Sequence, residues 1–169
     1  AESFGKEGAF ITKCTAQLMR DFGCIPSPQN AFYLNLGLES LHVRMPRHVE
    51  NAQATAEFLD AQDKVLKVNY PGLPGNRYHG LAEKYLHGGG CGVVSFELSG
   101  GREAAERFMG KLKLIAIETH VADARSCCLH PASSTHRQLN DSQLAAAGVA
   151  PGLIRVSLGL EDREDLLAD

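Results

Sequence analysis

The sequence predicts an α+β domain, an α/β sandwich in which helices face a small sheet, and two observations lead to this class. Up to about residue 60, apolar residues recur at the three- and four-residue spacing of helices. Beyond that point the apolar runs become short, rich in β-branched residues and bounded by glycine or proline, which is typical of strands. The 169 residues suffice for one ordinary domain, or for one domain with a short piece of another.

The first half of the chain is predicted to be helical with one early break. Residues 5–22 have a helical pattern, and the segment GCIPSP then interrupts it, with Ser27 as a suitable N-cap for the next helix. One apolar stripe continues along a very long helix: Leu34, Leu38, Leu41, Met45, Val49, Ala52, Ala56 and Leu59. Because proline removes a backbone hydrogen bond at a cost of ~3 kcal/mol, we expect a kink or a break at Pro46.

Five strands and three further helices are predicted in the second half. The strands are VLKVNY (65–70), GVVSFEL (92–98), LIAIE (113–117), RSCCLH (125–130) and LIRVSL (153–158). The helices are YHGLAEKYL, GREAAERFMGKL and DSQLAAAG. Asn140 and Gln143 are spaced as a capping box for the last helix, and Gly148 is suited to end it.

Composition limits the classes of partner. The formal net charge is −3 and the basic residues are scattered, so we expect no nucleic-acid partner. Five cysteines without a Cys-x-x-Cys spacing disfavour disulfides and favour a cytoplasmic location. No apolar run approaches the ~18 residues of a membrane span. Because the chain starts without Met and already reads as helix, we expect it to be a piece of a longer protein.

Metal and phosphate sites are not expected. His130 and His136 lie six residues apart across a proline, and His42 and His48 face different sides of a helix, so neither pair has zinc-ligand spacing. The segment GGGCG precedes a strand, whereas a dinucleotide loop follows one. The SGG before REAAERF is predicted to be a tight turn rather than an anion site.

Arg155 is the clearest candidate for a binding residue. Alternation along GLIRVSLGL places Arg155 and Ser157 on the face of the strand opposite to Ile154 and Val156. A guanidinium is always charged, is costly to bury alone, and fits a carboxylate through two parallel hydrogen bonds. Three interpretations stay open: Arg155 binds a ligand carboxylate, it is simply exposed, or it pairs with an internal acid such as Asp123.

The loop HPASSTHR, residues 130–137, contains two histidines, three hydroxyl groups and an arginine. One interpretation is that these groups line the same pocket as Arg155. The other is a surface turn whose polar groups bond to one another.

Several segments together resemble one enzyme family. HPASSTH and GLIRVSLGLEDREDLLAD resemble the C-terminal signature of the pyridoxal-phosphate-dependent Cys/Met metabolism (trans-sulfuration) enzymes. SPQNAFYLNLGLESLHVRMPRHVENA resembles the helix that joins their two domains, and VNYPGL and SFELSGG are similar to later landmarks. The segments NAFYLNLGLESL and RHVENA are most similar to the O-acetylhomoserine sulfhydrylase branch, which joins a sulfur nucleophile to O-acetylhomoserine to give homocysteine or methionine.

The resemblance implies the domain organisation of a fold-type I aminotransferase-like enzyme. Residues 1–38 correspond to the end of the large cofactor domain and the start of the linking helix. Residues 39–169 correspond to the C-terminal substrate-recognition domain, with a small, mostly antiparallel sheet and helices on one face. The implied partners are a small amino-acid substrate and the N-terminal cofactor domain of the parent protein, which is implied to be a homo-oligomer.

The resemblance also implies the site residues by their positions in the motifs. The carboxylate-binding arginine of the family corresponds to Arg155, its neighbour in the substrate site to His120, and the threonine beside the arginine to Thr135. Three positions depart from the pattern: His120 replaces the usual asparagine or serine, Ala122 replaces a glycine, and Pro46 replaces an acidic residue.

The cofactor is implied to bind elsewhere in the parent. The family holds pyridoxal phosphate on a lysine of a Ser-x-Thr-Lys segment, and Lys13 in FITKC does not fit because the serine is missing and the position is too late. The resemblance therefore implies no catalytic or cofactor-binding residue in this chain, which alone is expected to be inactive. Alternatives are a fragment of a methionine γ-lyase or of a cystathionine γ-synthase or lyase, and a non-catalytic binding module.

Overall fold

The computed structural model describes residues 5–86 and 89–169. The chain divides into two units, Ala1–Leu41 and His42–Asp169. No helix within the described ranges is long and apolar enough to cross a membrane. The assignment of residues 1–38 to the cofactor domain of a parent protein stays a prediction.

The first unit is helical. Its elements are α1 (Gly5–Thr12), a π-helical segment (Lys13–Met19), α2 (Arg20–Phe22) and α3 (Pro28–Glu39). Gly23 ends α2 in the left-handed conformation (φ 67°), which glycine adopts at little cost. The predicted N-cap is confirmed, because Ser27 Oγ accepts the backbone N–H of Asn30 at 3.2 Å.

The second unit contains a five-stranded sheet with helices. Its elements are α4 (Leu41–Asp60, which starts one residue before the unit), β1 (Val65–Asn69), α5 (His79–Tyr85), β2 (Val93–Leu98), α6 (Gly101–Met109), β3 (Ala116–Ile117), β4 (Cys127–Leu129), α7 (Asp141–Ala146), β5 (Leu153–Ser157) and α8 (Arg163–Ala168). The strand order is β1-β2-β5-β4-β3. Only the short β3–β4 pair is parallel among these neighbours, so the predicted mostly antiparallel sheet is confirmed.

The main core covers one face of the sheet. Alternate residues of β2 and β5 point into it: Val94, Phe96, Ile154 and Val156. Three helices supply the other wall through Ala52, Ala56, Ala105, Met109 and Leu166. The alanines bring α4 and α6 close to the sheet because their side chains are small. A smaller cluster around Leu144 of α7 packs against Leu153, whose side chain points to the opposite face.

The predicted long helix is two helices, and they meet at Ser40 rather than at Pro46. Ser40 follows α3 with φ −101° and ψ 1°, outside the helical region, and α4 starts at the next residue. Of the kink or break expected at Pro46, the break is wrong, because α4 continues through this residue. The lost backbone hydrogen bond is tolerated because the following turns of α4 are held by tertiary contacts.

These contacts bind α4 to the segment after β5. Arg47 Nη2 and Asn51 Nδ2 donate to the carbonyl oxygen of Glu161 at 2.9 and 3.0 Å. The buried His48 donates through Nδ1 to the carbonyl oxygen of Leu158 at 2.6 Å. The C-terminal end of β5 is thereby fixed, and with it the strand that carries Arg155.

Two parts of the second unit differ from the prediction. The amides of residues 113–115 donate to the side chain of Asp169 at 2.7–3.0 Å, so β3 keeps only Ala116–Ile117 of the predicted strand 113–117. Helix α8 is not among the predicted helices, although Asp162 caps it by accepting the N–H of Glu164. The capping box of Asn140 on α7 is confirmed.

Candidate functional site

Arg155 lies in the middle of β5, on the face away from the main core. Its neighbours Ile154 and Val156 are buried in the core, so alternation sends the arginine to the other side, as predicted. In the register of the sheet, Ser95 of β2 and Leu129 of β4 lie directly beside it. The arginine is therefore carried by a central strand with paired neighbours on both sides, which gives its backbone a fixed position.

The guanidinium of Arg155 is held by backbone carbonyl groups. Nη2 donates to the carbonyl oxygen of Thr119 at 3.0 Å and to that of His120 at 3.4 Å. Nε is buried without a hydrogen-bond partner, and no carboxylate of the described residues pairs with the group. The arginine is half-buried. The two carbonyl groups orient its positive charge, and no carboxylate of the described residues neutralises it.

The interpretation that pairs Arg155 with Asp123 is wrong. Asp123 accepts the backbone N–H of Arg125 at 3.0 Å and lies 3.9 Å from the guanidinium of that same residue. The hydrogen bond from the backbone N–H of Arg125 is the main cause that holds the pKa of Asp123 below its ordinary value; desolvation opposes it, and the charges of Arg125 and His120 lower the pKa further. This carboxylate is thus engaged locally and does not pair with Arg155.

The loop that holds Arg155 is itself anchored by the sheet. Ser157 Oγ accepts the backbone N–H of Ala122 at 3.1 Å, and Cys127 Sγ donates to the carbonyl oxygen of His120 at 3.1 Å. Burial raises the pKa of Cys127, although the positive charge of Arg155 opposes the rise, so the thiol keeps the proton that this contact needs. Arg155, Ser157 and Cys127 thus contact one short loop from one face of the sheet.

His120 contributes its backbone to this arrangement. The imidazole is about two-thirds exposed, and its Nε2 lies 3.9 Å from a carboxylate oxygen of Glu118. The contact with Arg155 is made by the carbonyl oxygen. The contact with Arg155 therefore does not use the side chain at position 120, which largely faces solvent.

The 130–137 loop is largely bonded to itself. His130 is buried, donates through Nε2 to the carbonyl oxygen of Pro151 at 2.7 Å and lies with Nδ1 2.8 Å from Ser133 Oγ. Ser134 Oγ donates to the carbonyl oxygen of His130 at 2.6 Å. For these residues the structure supports the self-bonded turn over the pocket lining.

Thr135 is exposed, and its Oγ1 lies 2.9 Å from Nδ1 of the neighbouring His136. No hydrogen bond joins Thr135 to Arg155. The two residues are connected through the sheet, because Leu129 pairs with Arg155 and the loop begins at the next residue. The structure therefore brings Arg155 and His120 together and leaves Thr135 on the adjoining loop.

Other surface features offer weaker chemistry. A cleft of about 510 Å³ includes Gln53, Gly72 and His79. Its polar groups are engaged, since Gln53 Nε2 donates to Glu57 Oε1 and to the carbonyl oxygen of Gly72, and His79 Nδ1 donates to that of Pro71. In the described ranges, no three His, Cys, Asp or Glu side chains are grouped so that they could hold a metal ion.

A model of the Cys/Met metabolism PLP-dependent enzymes matches residues 6–169. The chain belongs to this family. The resemblance carried by the sequence motifs is confirmed, and with it the fold class of the family.

The individual relatives of this Cys/Met family member carry names that agree with the family indicated by the sequence motifs. O-acetyl-L-homoserine sulfhydrylase 1 of Thermus thermophilus is 46% identical over 168 residues, 99% of this chain and 40% of the relative. L-methionine gamma-lyase of Pseudomonas putida is 41% identical over 162 residues, 95% of this chain and 40% of the relative. A crystal structure of a putative O-acetylhomoserine (thiol)-lyase from Campylobacter jejuni superposes with a TM-score of 0.87 at 40% identity, covering 95% of this chain and 38% of that one.

The chain thus spans about two fifths of the length of these relatives. The Campylobacter jejuni structure carries an N'-pyridoxyl-lysine-5'-monophosphate. The described residues of this chain do not fit that group. Lys13 is exposed on a π-helical segment, and the two glycines at the start of α6 form a turn with φ 94° at Gly100 and 61° at Gly101.

Some residues of the candidate site were not predicted. The alternation pattern places Ser157 on the face of Arg155, and this could have identified it as a neighbour. Thr119 and Cys127 have no comparable signal, because their contacts depend on how the loop after β3 folds back over the sheet.

Proposed function

We propose that the parent protein of this chain is an O-acetylhomoserine sulfhydrylase, a transferase of methionine biosynthesis. It replaces the acetoxy group of O-acetylhomoserine by a sulfur nucleophile and gives homocysteine or methionine. The supporting observations are membership of the Cys/Met family and the 46% identity to a sulfhydrylase over almost the whole chain. In this proposal the chain supplies the site for the α-carboxylate of the substrate.

One observation carries this role. The guanidinium of Arg155 is oriented by two neutral carbonyl oxygens and has no carboxylate partner among the described residues. An oriented, uncompensated guanidinium attracts an anion, and its unused N–H groups suit the two oxygens of a carboxylate. Fixing the carboxylate orients the rest of the amino acid, which is how binding accelerates the later chemistry.

His120 and Thr135 complete the proposed substrate site. His120 acts through its carbonyl oxygen, which supports the guanidinium, while its imidazole forms part of the wall. Thr135 offers an exposed hydroxyl group on the loop that follows the neighbouring strand. Neither residue carries a catalytic step in this proposal.

The remaining parts of the parent complete the enzyme. The proposed N-terminal domain holds pyridoxal phosphate, and the proposed full-length protein is a cytoplasmic homo-oligomer. The chain alone lacks the family's lysine segment, so we propose that it is inactive without that domain. The relatives' greater length supports this division.

Methionine γ-lyase activity is the second candidate. It is supported by the 41% identity to L-methionine gamma-lyase of Pseudomonas putida. The carboxylate site serves both reactions equally, because both substrates are α-amino acids. Only the reaction at the γ-carbon distinguishes them.

The test uses the full-length protein that contains this chain. It is assayed with O-acetyl-L-homoserine and sulfide for homocysteine, and with L-methionine for methanethiol and 2-oxobutanoate. The proposal predicts homocysteine as the main product and a visible cofactor absorbance. Faster elimination from methionine would establish the lyase instead, and no turnover of either substrate would favour the non-catalytic module. Lys13→Ala is the control, and it should leave the activity unchanged.

A further inference from the structure

The residues that support Arg155 form a short segment, residues 119–122, which we call the cradle loop. Its first two carbonyl oxygens accept hydrogen bonds from the guanidinium. Its last residue, Ala122, has φ 62°, in the left-handed region that an alanine disfavours. The cradle loop therefore does not keep this shape by local preference alone, and contacts from the sheet must hold it.

Ser157 supplies the contact at the strained residue. Its Oγ accepts the N–H of Ala122 at 3.1 Å, and the serine is only 2% exposed. Ser157 follows Arg155 by two residues on β5, so both side chains leave the sheet on the same face. Cys127, directly opposite Ser157 in the register, provides a second contact through the carbonyl oxygen of His120.

We propose that Ser157 is a positioning residue for carboxylate recognition. By holding Ala122 it fixes the cradle loop, and the fixed carbonyl groups of the loop keep the guanidinium of Arg155 in one orientation. The inference rests on the proposed function, because it assumes that Arg155 binds the substrate carboxylate. Ser157 itself is buried and bonded to the loop, so it acts through Arg155 and not by touching the substrate.

The loop contact is tested by hydrogen exchange in the full-length protein. Ser157→Ala removes the acceptor of the Ala122 amide, so exchange in a peptide covering residues 119–123 should become faster. Ser142→Ala is the matched control, because it removes an exposed hydroxyl group on α7 whose hydrogen bond goes to Asn140. Exchange in this peptide should not change in the control, and unchanged exchange in Ser157→Ala would overturn the inference.

The positioning role is tested by kinetics with O-acetyl-L-homoserine and sulfide. Ser157→Ala should raise KM by about fivefold, the factor that one neutral hydrogen bond contributes, and leave kcat and the cofactor absorbance nearly unchanged. In an Arg155→Ala background the same change should raise KM no further, because the group it positions is gone. A purely structural role would not produce this dependence on Arg155.

The outcomes separate the inference from the proposed function. An equal rise of KM with and without Arg155 would show that Ser157 does not act through the arginine, and would overturn the inference. A raised KM in Arg155→Ala with an unchanged KM in Ser157→Ala would overturn the positioning role alone. An unchanged KM in Arg155→Ala would remove the carboxylate site itself, and the role of Ser157 with it.

Discussion

Arg155 combines a permanent charge with a half-buried position. The carbonyl oxygens of Thr119 and His120 offset part of the cost of removing the guanidinium from water, since hydrogen bonds to charged groups contribute about 1.5–3 kcal/mol each. These neutral oxygens do not neutralise the positive charge of the guanidinium. The planar guanidinium can hold these carbonyl groups and still present other N–H groups to an anion, which the compact ammonium group of a lysine does less well.

Ala122 gives a prediction at the scale of one residue. Ala122→Gly should raise the free energy of unfolding by about 0.5–1 kcal/mol. Glycine adopts φ 62° without the steric cost of a Cβ. The greater entropy of glycine in the unfolded chain cancels only part of this stabilisation. The measurement is urea unfolding of both proteins. Ala145→Gly, on the exposed side of α7, is the control and should lower stability instead. Equal losses in both variants would contradict the left-handed conformation of Ala122.

The sequence predicts the candidate site in part. Strand alternation is a local property, so the face of Arg155 and Ser157 follows from the residues alone. Whether Arg155 pairs with Asp123 or with a ligand depends on how the loop after β3 folds, which no local pattern specifies. The hydroxyl groups of the 130–137 loop are similarly ambiguous, because a turn and a pocket wall use the same residue types.

At the scale of elements, Asp169 organises the approach to β3. Its carboxylate accepts the N–H groups of Lys113, Leu114 and Ile115 at 2.7–3.0 Å. Desolvation opposes its ionisation, but these three donors and the charge of Lys113 outweigh it and lower the pKa of Asp169. The segment leading to the cradle loop is therefore held at both ends, by Asp169 before β3 and by the sheet after it.

This contact predicts a dependence of stability on pH. A carboxylate with a lowered folded-state pKa stabilises the fold above its unfolded pKa of about 3.9, and the contribution is lost as the pH falls through the folded value. Asp169→Asn should therefore cost about 1 kcal/mol at pH ~7, after allowance for solvent screening. The difference should narrow as the pH falls below about 4.

The measurement is urea unfolding of the wild type and of Asp169→Asn at neutral and acidic pH. The exposed Asp63 provides the control, and Asp63→Asn should change stability by less than about 0.5 kcal/mol at either pH. A difference between wild type and Asp169→Asn that stays constant with pH would contradict the role of the ionised carboxylate.

Elements with strong local signals are predicted well, and the deviations have tertiary causes. Ser27 and Asn140 cap the helices at which the sequence predicts them. β3 is short because the backbone amides of the three residues before it donate to Asp169, which lies 54 or more residues away in the chain. The continuity of α4 through Pro46 results from contacts with the segment after β5. Neither contact leaves a periodic pattern in the sequence.

At the scale of the whole molecule, the two units differ in how they bury apolar residues. The second unit has a core on the sheet. The first exposes large apolar side chains, including Phe10, Phe22, Ile25, Phe32 and Leu34. Such exposure is typical of a surface that binds protein. It is consistent with the proposal that residues 1–38 belong to the cofactor domain of a parent about two and a half times as long as this chain.

The proposed function requires that Arg155 pairs with the α-carboxylate of the substrate, and the affinities of two ligands measure this pairing. In the full-length protein, wild type and Arg155→Ala are compared for affinity to O-acetyl-L-homoserine and to 3-aminopropyl acetate, the same molecule without its α-carboxylate. The variant should bind O-acetyl-L-homoserine about 10- to 100-fold more weakly and bind the analogue as the wild type does, because only the former offers a partner to the guanidinium. An equal loss for both compounds, or no loss for either, would contradict the pairing of Arg155 with the α-carboxylate.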